Sequence, residues 1–416
     1  MNGKIPKPAE YIKAFEQMGF GMFVHMGLYS ALSSGEWTYS IHKRDMADYA
    51  TLAQGFDVKK GAMEKIVAIA KNAGCKYITM TTRHHEGFSL YDTRGLSTFD
   101  IIHSPTARDL IAEFVEECRK ADIKPFFYHT TLDWYEKSFN EDFSAYLEYL
   151  RKSVRILCTE YGEIGGFWFD GDWSRPEADW NTDALYGMIR RLQPNAMIIN
   201  NTGLSHRGEL GADEIDSVTY ERGMPAPIDR RGMKKYVAGE MCETLCDHWG
   251  VAVDINFKPV KQLIEELCDC RKVGANFLLN IGPNGDGTVS KMQEATMECI
   301  GRWMSFFGKA IYNGRPYLYY DNTKDFVLRD AEDEKTLYLF KFEVGKKSGD
   351  TNVTIDFGGD GVTKLTGFLG EVESVNWMDN GESLRFAKDG DTLSVICTGY
   401  DYGVSLCVRV AEIKLK

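Results

Sequence analysis

Short apolar runs alternate with amphipathic segments over the first 310 or so residues, and this alternation limits the possible folds more than any other feature. Segments at 61–73, 109–121 and 141–159 carry apolar residues at helical spacing and lie between several of the runs. Apolar strands that alternate with such helices are typical of a parallel sheet buried on both faces. Eight runs predict an α/β fold with a (β/α)8-like barrel, with an irregular stretch at 222–235. The runs are 21–25, 77–81, 125–129, 166–170, 196–200, 217–220, 237–240 and 275–280.

The pattern changes after about residue 313, where apolar and polar residues alternate and no helical segment intervenes. This alternation predicts a C-terminal antiparallel β-sandwich of roughly 100 residues. A chain of 416 residues also exceeds the usual size of a single core. We therefore predict two domains, a catalytic barrel over residues 1–312 and a β-sandwich over residues 313–416. The predicted sandwich strands are 326–329, 336–340, 352–357, 384–386, 392–396 and 404–410.

The charge and the apolar content of the chain exclude several classes of partner. A net charge of −12, with scattered Lys and Arg, repels phosphate backbones, so we expect no nucleic-acid partner. The first ten residues contain no apolar signal core, and no apolar run of about 18 residues occurs. We therefore expect a soluble cytoplasmic protein without a membrane partner. The ten cysteines lack the paired hooks of a zinc site and are predicted to be free thiols.

Polar, titratable residues end several of the apolar runs. In a barrel the carboxyl ends of the strands converge on one face, where active sites are built. A single His after a strand is more often structural, but a set of such residues in one chain predicts a site. The residues concerned are His25, His84, His85, His129, Asp170 and Glu240.

Asp170 has the strongest local pattern, because it follows three aromatic residues at the end of a run and precedes a glycine. An Asp-Gly turn is the alternative interpretation, but Trp173 and Trp180 follow closely, as in a pocket that binds sugars. Retaining glycosidases need two carboxyl groups roughly 5–5.5 Å apart. Glu240, which also lies at the end of a run, is the predicted second carboxyl group.

A salt bridge is the alternative role for Glu240, and three other glutamates compete for the acid role: Glu36, Glu221 and Glu243. The loop after the first run holds Glu36 beside Trp37, a combination that suits the binding of sugar hydroxyl groups.

With these residues in view, the first 315 or so residues resemble glycoside hydrolase family 29, the α-L-fucosidases. The matching motifs occur in the same order over most of the predicted barrel. They are Phe20-Gly-Met-Phe-Val-His25, Gly35-Glu-Trp37, Lys76-Tyr-Ile-Thr-Met-Thr-Thr-Arg-His-His-Glu-Gly-Phe88, Phe167-Trp-Phe-Asp-Gly171, Glu240-Met-Cys242, Trp249-Gly250 and Gly274-Ala-Asn-Phe-Leu-Leu-Asn-Ile-Gly-Pro-Asn-Gly-Asp-Gly287.

The resemblance implies an exo-acting, retaining α-L-fucosidase with a barrel followed by a β-sandwich. It implies that Asp170 is the nucleophile, that Glu240 is the general acid/base and that Phe23 packs against the C6 methyl of fucose. It also implies no cofactor. The other residues implied to hold the sugar are His25, Glu36, Trp37, His84, His85, Tyr128, Trp168 and Trp249.

The chain departs from the family at two positions, Gly239 and Val251, where members often carry Trp and Tyr. We therefore expect the side of the site that receives the leaving group to differ. The expected substrate is a fucosylated oligosaccharide or a small imported fucoside, and a homo-oligomer is possible.

Two other classes of protein compete with this interpretation. A metal-dependent barrel hydrolase could use the strand-end histidines with Asp170, but His84 and His85 are adjacent and would point to opposite faces of an extended strand. A catalytically inactive sugar-binding protein would need the carboxylates to be lost, whereas Asp170 and Glu240 are both present. We therefore predict no bound metal.

Overall fold

The computed structural model of the chain describes residues 3–320, 323–347 and 360–416. Eight parallel strands form a closed barrel in chain order, with β1 paired to both β2 and β8. This arrangement confirms the predicted barrel, and each of the eight apolar runs contributes one strand. The strands are β1 Phe20–Val24, β2 Tyr77–Arg83, β3 Lys124–Thr130, β4 Gly166–Asp170, β5 Met197–Asn200, β6 Ser217–Glu221, β7 Ala238–Thr244 and β8 Asn276–Ile281.

Helices connect many of the strands, and local signals set their ends. Helix α5, for example, begins after Asp109, whose carboxylate accepts a hydrogen bond from Ala112 N, and ends at Asp122 in the left-handed conformation. The irregular stretch at 222–235, which is fully described, holds neither a helix nor a strand, as predicted. The helices are α1 Glu10–Met18, α2 Thr38–Ile41, α3 Met46–Ala50, α4 Ala62–Ala73, α5 Leu110–Ala121, α6 Ser138–Glu141, α7 Phe143–Thr159, α8 Thr182–Leu192, α9 Val260–Lys272 and α10 Lys291–Asn313.

Close approaches inside the barrel explain two of its glycines. A Cβ atom on Gly21 would lie 2.4 Å from the ring of Tyr77, and one on Gly166 would lie 2.5 Å from Met197 O. Both contacts are far inside van der Waals distance, so a side chain at either position would push neighbouring strands apart. These glycines therefore leave room for the aromatic side chains that fill the barrel interior.

Two antiparallel sheets follow the barrel strands, and they confirm the predicted β-sandwich. One sheet has the order β13-β16-β11-β10-β9 and the other β12-β15-β14. Buried residues from both sheets, such as Leu337, Leu339, Leu393 and Val395, form one apolar core. The strands are β9 Gly314–Tyr319, β10 Phe326–Asp330, β11 Thr336–Lys341, β12 Gly361–Leu365, β13 Val372–Trp377, β14 Phe386–Asp389, β15 Thr392–Cys397 and β16 Arg409–Leu415.

Several predicted sandwich strands differ from the observed ones. The strand predicted at 404–410 begins only at Arg409, because Cys407 takes a left-handed conformation (φ 65°) that interrupts extended backbone. The strand predicted at 384–386 overlaps β14 at Phe386 alone. Strands β9, β12 and β13 were not predicted. The strand predicted at 352–357 lies outside the described residues.

The chain divides into two compact units. The first comprises Met1–Lys258 and Asn276–Glu298, and the second comprises Pro259–Ala275 and Cys299–Lys416. The second unit therefore includes α9 and the C-terminal part of α10 as well as the sandwich strands. A domain boundary between residues 312 and 313 stays a prediction. Within the part of the chain that is described, no helix is both long and apolar enough to cross a membrane.

One buried carboxylate joins the two barrel strands that pair least. Ile199 and Ser217 are the register partners of β5 and β6. Just before β6, Asp216 accepts hydrogen bonds from Ile198 N (2.8 Å), Tyr11 Oη (2.9 Å) and Arg190 Nη2 (2.6 Å). Side-chain bonds to Asp216 thus replace part of the missing strand pairing.

We predict that Asp216→Ala lowers the free energy of unfolding by about 3–5 kcal/mol, because it leaves buried donors and Arg190 without their acceptor. Urea titration followed by circular dichroism measures this change. Asp213→Ala is the matched control, since its ion pair with Lys234 is exposed and should contribute little. Equal stability of the two variants would contradict the role of Asp216.

Candidate active site

A cavity of about 1160 Å³ opens at the carboxyl ends of the barrel strands. Strand convergence brings together side chains that are far apart in the sequence. The cavity is lined by all but one of the predicted site residues: Phe23, His25, Glu36, Trp37, His84, His85, Tyr128, Trp168, Asp170 and Trp249. The exception is Glu240.

Asp170 is the last residue of β4, and the chain turns directly after it at Gly171 (φ 113°). A Cβ atom on Gly171 would lie 2.7 Å from Leu132 N, so this turn requires glycine. Asp170 Oδ2 accepts a hydrogen bond from Tyr128 Oη (2.9 Å). Its Oδ1 accepts from Trp173 Nε1 (2.9 Å), and the turn at Gly171 is what places Trp173 close enough to donate.

The surroundings of Asp170 favour its ionised form. Burial raises the pKa of Asp170, but His85, Trp173 and Tyr128 outweigh burial through hydrogen bonds and charge, and the pKa is lowered well below its usual range. His85 Nε2 lies 3.4 Å from Asp170 Oδ2. Asp170 is thus a buried carboxylate that keeps its charge, as a nucleophile must.

A neighbouring hydroxyl group fixes the ring of His85. The Thr130 hydroxyl donates to Leu132 O, so its oxygen is free to accept from His85 Nδ1 at 2.7 Å. The opposite nitrogen of the ring, Nε2, then faces Asp170. A proton on that nitrogen makes His85 a cation beside the carboxylate, which stabilises the negative charge.

A second carboxyl group lies beside Asp170. Glu221 ends β6 and lines the cavity. Asn201 Nδ2 donates to Glu221 Oε2 (2.8 Å) and to Asp170 Oδ1 (3.1 Å). Because both oxygens bind one nitrogen, their separation cannot exceed the sum of the two distances, about 5.9 Å. Retaining glycosidases hold their two carboxyl groups roughly 5–5.5 Å apart, so Asp170 and Glu221 fit that requirement.

The charge of Asp170 acts on Glu221. Burial, followed by the charge of Asp170, raises the pKa of Glu221, against the lowering effects of Asn201, Arg222 and Arg207. A carboxyl group with a raised pKa beside an ionised one is the arrangement that separates an acid from a nucleophile. Asn201 was not predicted, although its position directly after the run at 196–200 is the same signal that identified Asp170.

Glu240 occupies a different place from the predicted one. The prediction that it ends its strand is wrong, because β7 continues to Thr244. Its oxygens accept hydrogen bonds from Tyr77 Oη (2.5 Å) and Trp168 Nε1 (2.9 Å) in the buried barrel interior. Glu240 does not line the cavity that the described residues form.

The pKa of Glu240 is raised to about 7 by burial, against the lowering effect of these two hydrogen bonds. The charge of Asp170 is not among the causes, in contrast to Glu221. Glu240 therefore supports the indole of Trp168 from below, while Trp168 faces the cavity.

The two remaining glutamates that were considered as acids have structural partners. Glu243 forms an ion pair with Lys258 (2.6 Å) away from the cavity. Glu36 lines the cavity, and its Oε2 accepts from Gly250 N (2.8 Å). This bond, together with that from Asn280 Nδ2 to Trp249 O (2.7 Å), positions the Trp-Gly loop.

Adjacent histidines behave differently from the expectation for an extended strand. His84 and His85 follow the end of β2 in a turn, so both side chains line the cavity, with ring centroids 4.2 Å apart. The argument that they would point to opposite faces is therefore wrong. His129 lies within β3 next to Tyr128 and points away from the cavity, where it bonds Thr82 and Ser153.

The inner end of the cavity is aromatic. Phe23 is buried, and its ring packs at 5.0 Å against Trp168 and at 5.8 Å against Trp249. Tyr128 stacks on Trp168 at 5.8 Å. Next to these rings, His25 Nδ1 pairs with Asn280 Oδ1 (2.7 Å), which leaves Nε2 of that ring available to a ligand. Within the described residues no group of three or more His, Cys, Asp or Glu is arranged to hold a metal ion.

A parallel barrel whose strand ends hold two carboxyl groups of opposite character in an aromatic cavity defines a glycoside hydrolase. The family model described as Alpha-L-fucosidase matches residues 5–309. The chain therefore belongs to the α-L-fucosidase family, glycoside hydrolase family 29, and this confirms the resemblance seen in the sequence.

Individual relatives support the same assignment. The chain is 26% identical to rat tissue alpha-L-fucosidase over 336 residues, which cover 73% of this chain and 70% of the relative. It is likewise 26% identical to human plasma alpha-L-fucosidase over 328 residues, 72% of this chain and 68% of the relative.

Solved structures extend the similarity to the whole chain. Alpha-L-fucosidase isoenzyme 1 from Paenibacillus thiaminolyticus has a TM-score of 0.82 at 27% identity and covers 98% of this chain and 99% of its own. A family 29 alpha-L-fucosidase from Bacteroides thetaiotaomicron has a TM-score of 0.83 at 23% identity, covering 100% and 97%. The latter protein was also solved as a trapped covalent intermediate in complex with 2-fluoro-fucosyl fluoride.

We predict that Tyr128→Phe moves the acid limb of the pH profile of kcat/KM upward by about one pH unit. The variant removes a hydrogen bond to a charged group, worth about 1.5–3 kcal/mol, so the depressed pKa of Asp170 rises. Since activity needs ionised Asp170, activity is lost from the acid side first. The profile is measured with an aryl α-L-fucoside. Tyr161→Phe, which removes a Tyr–Asp hydrogen bond to Asp109 outside the cavity, should leave the limb in place.

Proposed function

We propose that the chain is an exo-acting, retaining α-L-fucosidase in which Asp170 is the nucleophile and Glu221 is the general acid/base. The observation that carries this proposal is the single amide nitrogen of Asn201, which binds both carboxyl groups. It supports the short separation that a double displacement needs. Glu221 takes the role predicted for Glu240, because Glu240 is buried behind Trp168.

The first step forms one bond and breaks another. An oxygen of Asp170 attacks the anomeric carbon of fucose, while the bond from that carbon to the leaving oxygen breaks. Glu221 gives its proton to the leaving oxygen and becomes a carboxylate. In the second step Glu221 takes a proton from water, and the water oxygen displaces Asp170 from the anomeric carbon. The charge of Asp170 is neutralised in the intermediate, which favours the loss of the proton from Glu221 that the second step requires.

The aromatic inner end supports an exo action on fucose. Phe23 and Trp168 close the cavity at its inner end, so a terminal sugar fits and an internal one does not. The C6 methyl of fucose suits the apolar ring of Phe23, whereas a hydroxyl group there would lose its hydrogen bonds. The proposed substrate is a fucosylated oligosaccharide or a small fucoside. Cytoplasmic location and a homo-oligomer stay predictions from the sequence.

We predict that the enzyme releases α-L-fucose from p-nitrophenyl α-L-fucoside before mutarotation sets in, since two inversions restore the starting configuration. Proton NMR in the first minutes of turnover distinguishes the anomers. Early release of β-L-fucose would exclude a double displacement.

Three variants separate the carboxyl groups, and dinitrophenyl α-L-fucoside is the substrate because its leaving group needs no proton. Glu221→Ala should accumulate the intermediate, and azide should restore turnover and give α-L-fucosyl azide, because azide needs no base. Asp170→Gly should lose nearly all turnover, and azide should give the inverted β-L-fucosyl azide. Product configuration is read by NMR.

Glu240→Gln is the matched control. It keeps an acceptor for Trp168, while its amide can donate to Tyr77, so we expect no azide response and most of the activity. If azide instead rescues Glu240→Gln and leaves Glu221→Ala unaffected, the acid/base assignment returns to Glu240.

A further inference from the structure

The cavity is much larger than the sugar that the proposed function places at its inner end. Its volume of about 1160 Å³ exceeds the roughly 300–1,000 Å³ of typical cavities for drug-sized ligands, and a single deoxyhexose is smaller than those ligands. The residues around Asp170 enclose only the inner part. The outer part is formed by the loops that follow β4, β5 and β6, and it has room for further sugar units.

Trp180 is a rigid wall of this outer part. Its Nε1 donates to Arg175 O (3.1 Å), and its ring packs edge-on against Phe143 at 5.0 Å. The Arg175 guanidinium in turn lies 4.7 Å from the ring centre of Phe143. Because the indole N–H is already bonded within the protein, Trp180 offers the cavity an aromatic face. Such a face suits the C–H side of a sugar ring and costs little conformational entropy on binding.

An apolar residue from another loop completes the wall. Leu204, in the segment after β5, lines the cavity and is 56% exposed. An exposed leucine in a cavity gains from being covered by a ligand. Trp180 and Leu204 thus make the outer part apolar at two points that neither the nucleophile nor the acid/base explains.

The charge of the cavity restricts what this part can bind. Among the described residues that line it, seven carry carboxyl groups and one, Arg222, carries a guanidinium group. That guanidinium donates to Asp247 O and lies 5.3 Å from the ring centre of Trp249. An anionic sugar would meet a surplus of negative charge without a free cationic partner.

We infer that the outer cavity is a subsite for a neutral oligosaccharide aglycone that stacks on Trp180, and that sialylated or sulfated aglycones are rejected. This inference rests on the proposed function, because it assumes fucose at the inner end. It selects a fucosylated oligosaccharide over a small fucoside as the substrate.

The test compares kcat/KM for two substrates, p-nitrophenyl α-L-fucoside and the best-hydrolysed member of a panel of neutral fucosyl trisaccharides of different linkages. Trp180→Ala should lower the ratio of trisaccharide to aryl kcat/KM by about tenfold or more, equivalent to about 1.4 kcal/mol. Trp180→Phe should restore much of the ratio, since it keeps an aromatic face. Tyr135→Ala, which removes an exposed aromatic that stacks on Phe99 outside the cavity, is the matched control and should leave the ratio unchanged.

The same trisaccharide with a sulfate on the sugar farthest from fucose tests the charge argument. We expect a kcat/KM at least tenfold lower at low salt, and a smaller difference at 0.5 M salt, because salt screens repulsion. A sulfated substrate that is hydrolysed as well as the neutral one would overturn the charge argument. A ratio that Trp180→Ala does not change would overturn the subsite.

Failure of the proposed function is distinguishable from failure of the subsite. If the wild type hydrolyses no α-L-fucoside, the proposed function fails, and calorimetry then decides the inference. Tighter binding of the neutral trisaccharide than of free L-fucose, weakened by Trp180→Ala, would support the subsite. Equal binding of the two sugars would overturn it.

Discussion

A carboxylate that is buried and still ionised must be surrounded by donors, and this requirement organises the site around Asp170. The donors come from separate parts of the chain: Tyr128 from β3, His85 from the turn after β2, Trp173 from the turn after β4 and Asn201 from the end of β5. Removing any of these elements would leave the charge less compensated. Closure of the barrel is what brings the donors together, because neighbouring parallel strands end on the same face.

The barrel interior holds two further carboxyl groups with raised pKa values, Glu221 and Glu240, and comparison of them shows why position decides chemistry. Both are partly or fully removed from water. Glu221 responds to the charge of Asp170 and opens on the cavity, so proton transfer to a ligand is possible there. Glu240 is enclosed by Tyr77 and Trp168. A raised pKa therefore identifies a protonated group, and only access to the reacting atoms makes it an acid.

Much of the barrel could be predicted from the sequence, because apolar runs and amphipathic helices are local signals. The ends of strands were less accessible. The run at 237–240 ends with Glu240, but β7 extends to Thr244 because the polar residues that follow are held by buried partners, such as Lys258 for Glu243. A local pattern cannot reveal such distant partners, and the acid/base was therefore assigned one strand away from Glu221.

Side-chain direction was the second limit. Tyr128 and His129 are adjacent in β3, and only Tyr128 faces the cavity. The phase of a strand buried on both faces is invisible in an apolar run, since both faces carry similar residues. His84 and His85 escaped this alternation because they lie beyond the last residue of β2.

The loops that follow β4 and β5 serve both parts of the cavity, and this links catalysis to the choice of aglycone. The segment after β4 supplies Trp173, which bonds Asp170, and Trp180, which lines the outer part. The segment after β5 supplies Asn201, which bonds both carboxyl groups, and Leu204 in the outer wall. A ligand that orders the outer wall therefore acts on the same short segments that hold the carboxyl groups. Binding energy from the aglycone can in this way improve the alignment of Asp170 and Glu221, where it contributes to the rate and not to affinity alone.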